Sequence, residues 1–101
     1  MNLDLMLIEL KGNKAEDVMD ALVLQEHKIA MHLAKGLIMA VSEGESEFKF
    51  AEVVFEDGQC IQLGCNKRDY YEAMHKQIDI LERYEEYEMC AQLKESIKKL
   101  K

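Results

Sequence analysis

The sequence predicts an α+β fold that is mostly helical, with N-terminal helices, one β-hairpin and a C-terminal helical hairpin. Three observations lead to this fold class. Apolar residues recur at helical spacing between residues 15 and 41. An alternating, aromatic-rich stretch surrounds Asp57-Gly58, as in a β-hairpin. Residues 67–101 contain neither glycine nor proline, and their apolar residues repeat at spacings of three and four, as in paired helices.

Length and composition predict one domain, 1–101, in which 1–66 hold the first helices and the β-hairpin and 67–101 hold the helical hairpin. With 49% hydrophobic residues the chain has enough apolar material for a core. Twenty acidic against 13 basic residues give a net charge of -7, which repels phosphate backbones and argues against direct binding of nucleic acid. The apolar stretches are far shorter than the roughly 20 residues of a membrane span.

Segment 2–10 fits two structures, because its leucines alternate as in a strand while its apolar residues also share one helical face. Asn2 can cap a helix and Gly12 sits where a helix would stop. We therefore expect a helix here, with a strand as the alternative.

A second helix start is indicated by Asn13 followed by Glu16, and this helix carries the main core face. Gly36 or Gly44 is the candidate end. Because alanine, leucine and methionine outnumber β-branched residues between them, we expect the longer helix, with a strand at 37–42 as the alternative.

Asp57-Gly58 supplies the positive φ angles that a two-residue hairpin turn needs, so we expect strands at 47–56 and 59–64. Apolar residues change from even to odd positions within the first strand. This change indicates either a β-bulge near Ala51-Glu52 or burial of both strand faces.

The last third of the chain fits one long helix or two helices joined by a tight turn. Glutamates crowd residues 85–88 and lysines crowd 94–101, which suits the two ends of a separate helix dipole and favours a break at 84–86. The residues expected to pack this hairpin are Met74, Ile78, Leu81, Cys90, Ala91, Leu93 and Ile97.

No catalytic or metal-binding pattern is found, so we expect a protein that is not an enzyme and needs no metal or cofactor. Cys60 and Cys65 point to opposite faces of a strand, and His27 and His32 lie about 140° apart around a helix. Cys65 beside two basic residues would have a lowered pKa if exposed, but packing in the core is the favoured interpretation.

The four tyrosines lie entirely in the last third of the chain. Tyrosine combines a large apolar ring with a polar tip, which suits a protein interface as well as the edge of a helical hairpin. The candidate protein-binding residues are Tyr84, Tyr87, Glu88, Tyr70 and Tyr71.

Residues 74–100 resemble the UVR motif, a helical hairpin of the excision-repair nuclease subunits B and C and of adaptor proteins of the Clp protease system. The residues that carry the resemblance are Tyr87-Glu88, Cys90-Ala91, Leu93-Lys94-Glu95, Ile97 and Leu100. The resemblance implies close packing of two helices around the aromatic and the small residues, and association with protein. The chain departs from the motif in having Cys90 for the first alanine, Lys94 for arginine and Leu81 for a common alanine.

These observations predict a small acidic adaptor or assembly protein that binds a partner protein, or itself, through the C-terminal hairpin. An acidic inhibitor or decoy that masks a basic, nucleic-acid-binding site on a partner is the alternative. The odd number of cysteines and the absence of a signal-peptide pattern predict a reducing, cytoplasmic setting.

Overall fold

The computed structural model describes residues 5–9 and 15–100, and it confirms a mostly helical α+β fold. The elements in chain order are β1 (Met6–Glu9), α1 (Ala15–Leu24), α2 (Glu26–Glu43), β2 (Glu47–Val54), β3 (Cys60–Asn66), α3 (Tyr70–Arg83) and α4 (Tyr87–Lys98), with a 3-10 turn at Lys67–Asp69. The three strands form one sheet in the order β1-β2-β3. Within the described ranges, no helix combines the length and apolarity needed to cross a membrane.

The start of the chain is a strand, so the prediction of a helix over 2–10 is wrong for the described part, residues 5–9. Strand β1 pairs in parallel with β2, and Ile8 lies opposite Val53. Both side chains are fully buried. Burial against a strand some 45 residues away outweighs the local capping signals, as tertiary contacts often do. The rest of the predicted segment, 2–4 and residue 10, lies outside the described residues.

The predicted central helix is two helices, which is a correction at Gln25. This residue has φ -113° and ψ 22° and separates α1 from α2. Leu22 of α1 and Ile29 of α2 pack on the sheet cluster, whereas Ala30 and Ala34 of α2 lie in the cluster shared with the C-terminal helices. Residue 13, the predicted cap, lies outside the described part of the chain.

The far end of α2 confirms the longer helix, and the strand alternative at 37–42 is wrong. Gly44 adopts the left-handed conformation with φ 69°. The backbone N–H of Glu45 then donates to the carbonyl of Ala40 at 2.9 Å. Glycine ends many helices in this way because it enters the left-handed region without steric cost.

The β-hairpin is confirmed, but its strands are 47–54 and 60–66 and its loop has three residues, 56–58, where two were predicted. The N–H of Gly58 donates to the carbonyl of Phe55 at 2.9 Å, and the N–H of Phe55 donates to the carbonyl of Gln59 at 2.7 Å. Only the glycine of the Asp-Gly pair has a positive φ, 91°. A turn closed by one left-handed glycine is the usual three-residue hairpin loop.

A β-bulge shifts the apolar positions of β2, one residue earlier than the sequence indicated. The register slips between Lys49 and Ala51, so Phe50 is the inserted residue. The slip brings Phe48, Ala51 and Val53 to the buried side, while Phe50 is half-buried and packs against both core clusters.

The core has a large cluster among α2, α3, α4 and Phe48, and a small cluster on the sheet around Ile8, Ala51 and Val53. Six of the seven predicted packing residues of the helical hairpin are buried: Met74, Ile78, Leu81, Cys90, Leu93 and Ile97. Ala91 is exposed, which is a correction, and Met89 is buried in its place. The buried residues of α4 share one face, and Ala91 lies about 100° of helix rotation beyond Cys90, outside that face.

The chain turns between α3 and α4 at residues 84–86, as predicted, and the alternative of one long helix is wrong. Glu85 has φ 60°, the left-handed region that non-glycine residues seldom enter. The N–H of Glu86 donates to the carbonyl of Leu81 at 3.0 Å and closes the turn.

Replacement of Glu85 by glycine should stabilise the protein by about 0.5 to 1 kcal/mol. A left-handed L-residue costs roughly 1–2 kcal/mol, and the added freedom of glycine in the unfolded chain offsets part of the gain. Glu95→Gly in the exposed middle of α4 is the matched control and should cost about 1 kcal/mol. Urea unfolding measures both, and a loss of stability in the Glu85 variant would contradict the strained turn.

Candidate functional site

Tyr70 belongs to the core, which removes it from the predicted protein-binding residues. Its side chain is 1% exposed, and its hydroxyl donates to the carbonyl oxygen of Glu45 at 2.9 Å. Its ring centroid lies 5.9 Å from that of Phe48. The first turn of α3 therefore anchors the α2–β2 connection, and no partner can reach this ring.

Tyr71 is exposed, but it lies at the other end of α3 from Tyr84. Its ring meets His75 edge-on at a centroid distance of 4.5 Å. Thirteen residues along a helix span about 20 Å. The structure therefore does not bring Tyr71 together with the tyrosines of the α3–α4 turn.

Tyr84 attaches the α3–α4 turn to the start of α2. Its ring stacks on His27 with a centroid distance of 4.3 Å and an angle of 11° between the planes. Its hydroxyl donates to Oε1 of Glu26 at 3.2 Å. Loss of solvent around the hydroxyl, together with this hydrogen bond, raises the pKa of the Tyr84 phenol above its ordinary value of 10.0.

Charged groups around this stack strengthen the same junction. Nε2 of His27 lies 3.1 Å from Oε1 of Glu86, and Arg83 places a guanidinium nitrogen 3.6 Å from Oε1 of Glu26. The groups are partly exposed, so each pair contributes little by itself. The two ion pairs and the Tyr84–His27 stack together fix the position of the hairpin turn on α2.

Tyr87 and Glu88 lie in the first turn of α4 and are exposed. The Tyr87 ring is 63% exposed, which is unusual for a large aromatic residue. Glu88 complements the positive end of the α4 dipole, so its position is explained by helix stability.

An open groove of about 700 Å³ lies along α2 beside Tyr84. The described residues that line it are Met6, Leu24, Gln25, His27, Lys28, Met31, His32, Lys35 and Tyr84. None of them is acidic, in a chain of net charge -7. The groove lining is therefore basic and partly apolar, and the carboxylates of Glu26 and Glu86 border it at Tyr84 and His27.

Sequence reasoning missed the α2 side of this groove, notably Lys28, Met31 and Lys35. The two lysines are exposed and stand seven residues apart, two turns of one helix, and Met31 lies between them. The seven-residue spacing of the two lysines was the sequence signal that could have identified this side of the groove. His32 adds a polar atom, Nε2, that is buried and has no hydrogen-bond partner among the described residues.

A second, smaller groove of about 350 Å³ lies between α1, α2, α3 and the sheet. Its walls are mostly apolar and include Met19 and Val23, both exposed on α1. It contains none of the predicted tyrosines.

The three cysteines are free thiols in different surroundings. Cys60 is exposed, Cys65 is half-buried beside the large cluster, and Cys90 is buried with its sulfur 3.7 Å from the carbonyl oxygen of Ile78. Burial raises the pKa of Cys65, and the charge of Asp69 adds to this effect. The lowered pKa considered for an exposed Cys65 is therefore not found. Among the described residues, no group of three or more His, Cys, Asp or Glu side chains could hold a metal ion.

Comparison with family models, with curated proteins and with solved structures finds no match to this chain. The resemblance of residues 74–100 to the UVR motif stays a prediction from the sequence.

Removal of the Tyr70 hydroxyl should destabilise the fold by about 1 to 2 kcal/mol, because Tyr70→Phe leaves the Glu45 carbonyl without this buried donor. The neighbouring Tyr71→Phe is the matched control and should change stability by less than about 0.5 kcal/mol. Thermal unfolding of both variants measures the difference. Equal stabilities would show that the hydroxyl contributes nothing.

Thiol labelling should follow the order Cys60, Cys65, Cys90. The thiolate is the reactive form, so a raised pKa means that the Cys65 rate still climbs as the pH passes its ordinary value of 9.0. An aromatic disulfide reagent followed by peptide mass analysis resolves the three sites. A Cys65 rate that levels off below that pH would contradict the effect of burial.

Proposed function

We propose that this chain is a small protein-protein interaction module, an adaptor or assembly protein, that binds a partner at the α3–α4 turn and the adjoining α2 groove. One observation carries the proposal: Tyr84 stacks flat on His27 at the edge of the groove and remains 40% exposed. Tyr87, three residues further along the chain, begins α4 and is 63% exposed. Exposed aromatic residues such as these two are typical of protein-binding surfaces.

The shape of the groove supports a polypeptide ligand. It is an open channel along one helix, whereas small-molecule sites enclose most of their ligand. Its lining mixes apolar and basic side chains, which suits a peptide or helix with an apolar and an acidic side. The residues that Tyr84 contacts also hold the turn in place, so the surface exists before a partner arrives.

The UVR resemblance supports the same proposal, because that motif associates with protein through its helical hairpin. We extend the proposal to a non-enzymatic role in a reducing, cytoplasmic setting, to which the free thiols of Cys60, Cys65 and Cys90 would be suited.

The combined replacement Tyr84→Ala and Tyr87→Ala tests the proposal. Loss of two aromatic anchors typically costs about 2 to 4 kcal/mol of binding, so capture of the partner by the tagged protein from its native cells should fall at least about tenfold. The measurement is quantitative mass spectrometry of the captured proteins, calibrated against the wild-type chain.

Tyr71→Ala is the matched control, since it removes a similarly exposed tyrosine at the far end of α3 and should leave capture unchanged. Circular dichroism and thermal unfolding must show that the double variant keeps its fold. Unchanged capture by a folded double variant would refute the proposal.

A further inference from the structure

Two exposed helix faces of this chain carry opposite charges at the same spacing. On α2, the basic stripe consists of Lys28, Met31 and Lys35, and both lysines are exposed. Among the described residues neither lysine takes part in any of the ion pairs found. The stripe forms one wall of the groove beside Tyr84.

On α4, the acidic stripe consists of Glu88, Ala91 and Glu95, all exposed. Its charged members are again seven residues apart, which is about 10.5 Å along a helix. The residue between them is small. The carboxylate of Glu95 is 3.2 Å from Nζ of Lys98. This ion pair is exposed and contributes little free energy, so replacing it with an ion pair to a second copy costs little.

We propose that the basic stripe of one copy docks on the acidic stripe of a second copy of this chain. The carboxylates of α4 match the ammonium groups of α2 whichever way the two helices run, because both stripes have the same spacing and a single apolar residue between the charges. Ala91 leaves room for the longer side chain of Met31. The inference deepens the proposed function by naming a second copy as the partner of this surface.

Exposed apolar residues lie next to both stripes. Leu24, the last residue of α1, is 86% exposed and lines the groove together with Lys28. Tyr87 is 63% exposed and precedes Ala91 by one turn of α4. Contact between the two helices would cover part of these side chains, which are otherwise left in water. This apolar contribution matters, because exposed ion pairs contribute only about 0.2 to 1 kcal/mol each.

The overall charge sets the strength of this contact. Two copies of net charge -7 repel each other, so local attraction between the stripes works against the total field. A contact of this kind is weak, and self-association should appear only at high micromolar concentration.

Sedimentation equilibrium over a concentration series, with charge reversals, tests the inference. The basic-stripe variant is Lys28→Glu with Lys35→Glu, and the acidic-stripe variant is Glu88→Lys with Glu95→Lys. The wild-type chain should self-associate, and each variant alone should remain monomeric. An equal mixture of the two variants should associate again, because each carries the stripe that the other needs.

Two further variants distinguish this contact from a general effect of net charge. Lys67→Glu with Lys76→Glu changes the net charge as much as the basic-stripe variant but lies elsewhere, and it should associate like the wild type. Ala91→Arg keeps a good helix former on α4 and should abolish association by bulk and charge. Circular dichroism confirms the fold of each variant.

A wild-type chain that is monomeric at every concentration would overturn the inference, and so would a mixture of reversal variants that fails to associate. If the chain is monomeric while partner capture still depends on Tyr84 and Tyr87, the inference falls and the proposed function stands. A further result is a monomeric wild-type chain whose basic-stripe variant loses capture of the partner. The inference then falls, and the stripe binds a different, acidic protein. A different pair of results would support the inference and refute the proposed function. In that case self-association is lost in each charge-reversal variant and restored in their mixture, while partner capture is unchanged by the replacement of Tyr84 and Tyr87.

Discussion

The contact of α3 and α4 with α2 is the interaction on which the other features depend. Alanines at positions 30, 34 and 40 of α2 are buried, and their small side chains let the C-terminal helices approach closely. Met74, Leu81 and Leu93 fill the remaining space and are fully buried. Protein interiors are packed as densely as organic crystals. This contact therefore fixes the position of the hairpin turn relative to α2. The stack of Tyr84 on His27 adds a further contact between this turn and α2.

The same contact gives α2 an inner and an outer face. Its inner face is used by the core, and its outer face is left as the wall of a groove. On a chain with 20 acidic residues, the described groove residues on that outer face include lysines and histidines and no acidic residue. Glu26 and Glu86 border them at Tyr84 and His27. The charge of the groove lining therefore differs in sign from the net charge of the whole molecule.

Local signals predicted the elements whose contacts are close in the chain. The turn at residues 84–86 and the helix end at Gly44 each depend on neighbouring residues and were found where expected. The hairpin at Asp57-Gly58 was also found, with a three-residue loop in place of the predicted two. Errors fell where distant residues decide. The strand β1 needs a partner some 45 residues away, and the bulge at Phe50 depends on which face of β2 the helices cover.

For the candidate site, the sequence by itself determined that tyrosines are concentrated in a helical hairpin with an acidic start and a basic end, because helix periodicity and dipole signals are local. Tertiary structure decided which tyrosine is available. Tyr70 is enclosed by Phe48 and Glu45, whereas Tyr84 lies against His27, and no local pattern distinguishes them. It also decided that α2 contributes half of the groove, since burial and contact between distant segments follow from packing the whole chain and not from the spacing of residues within one segment.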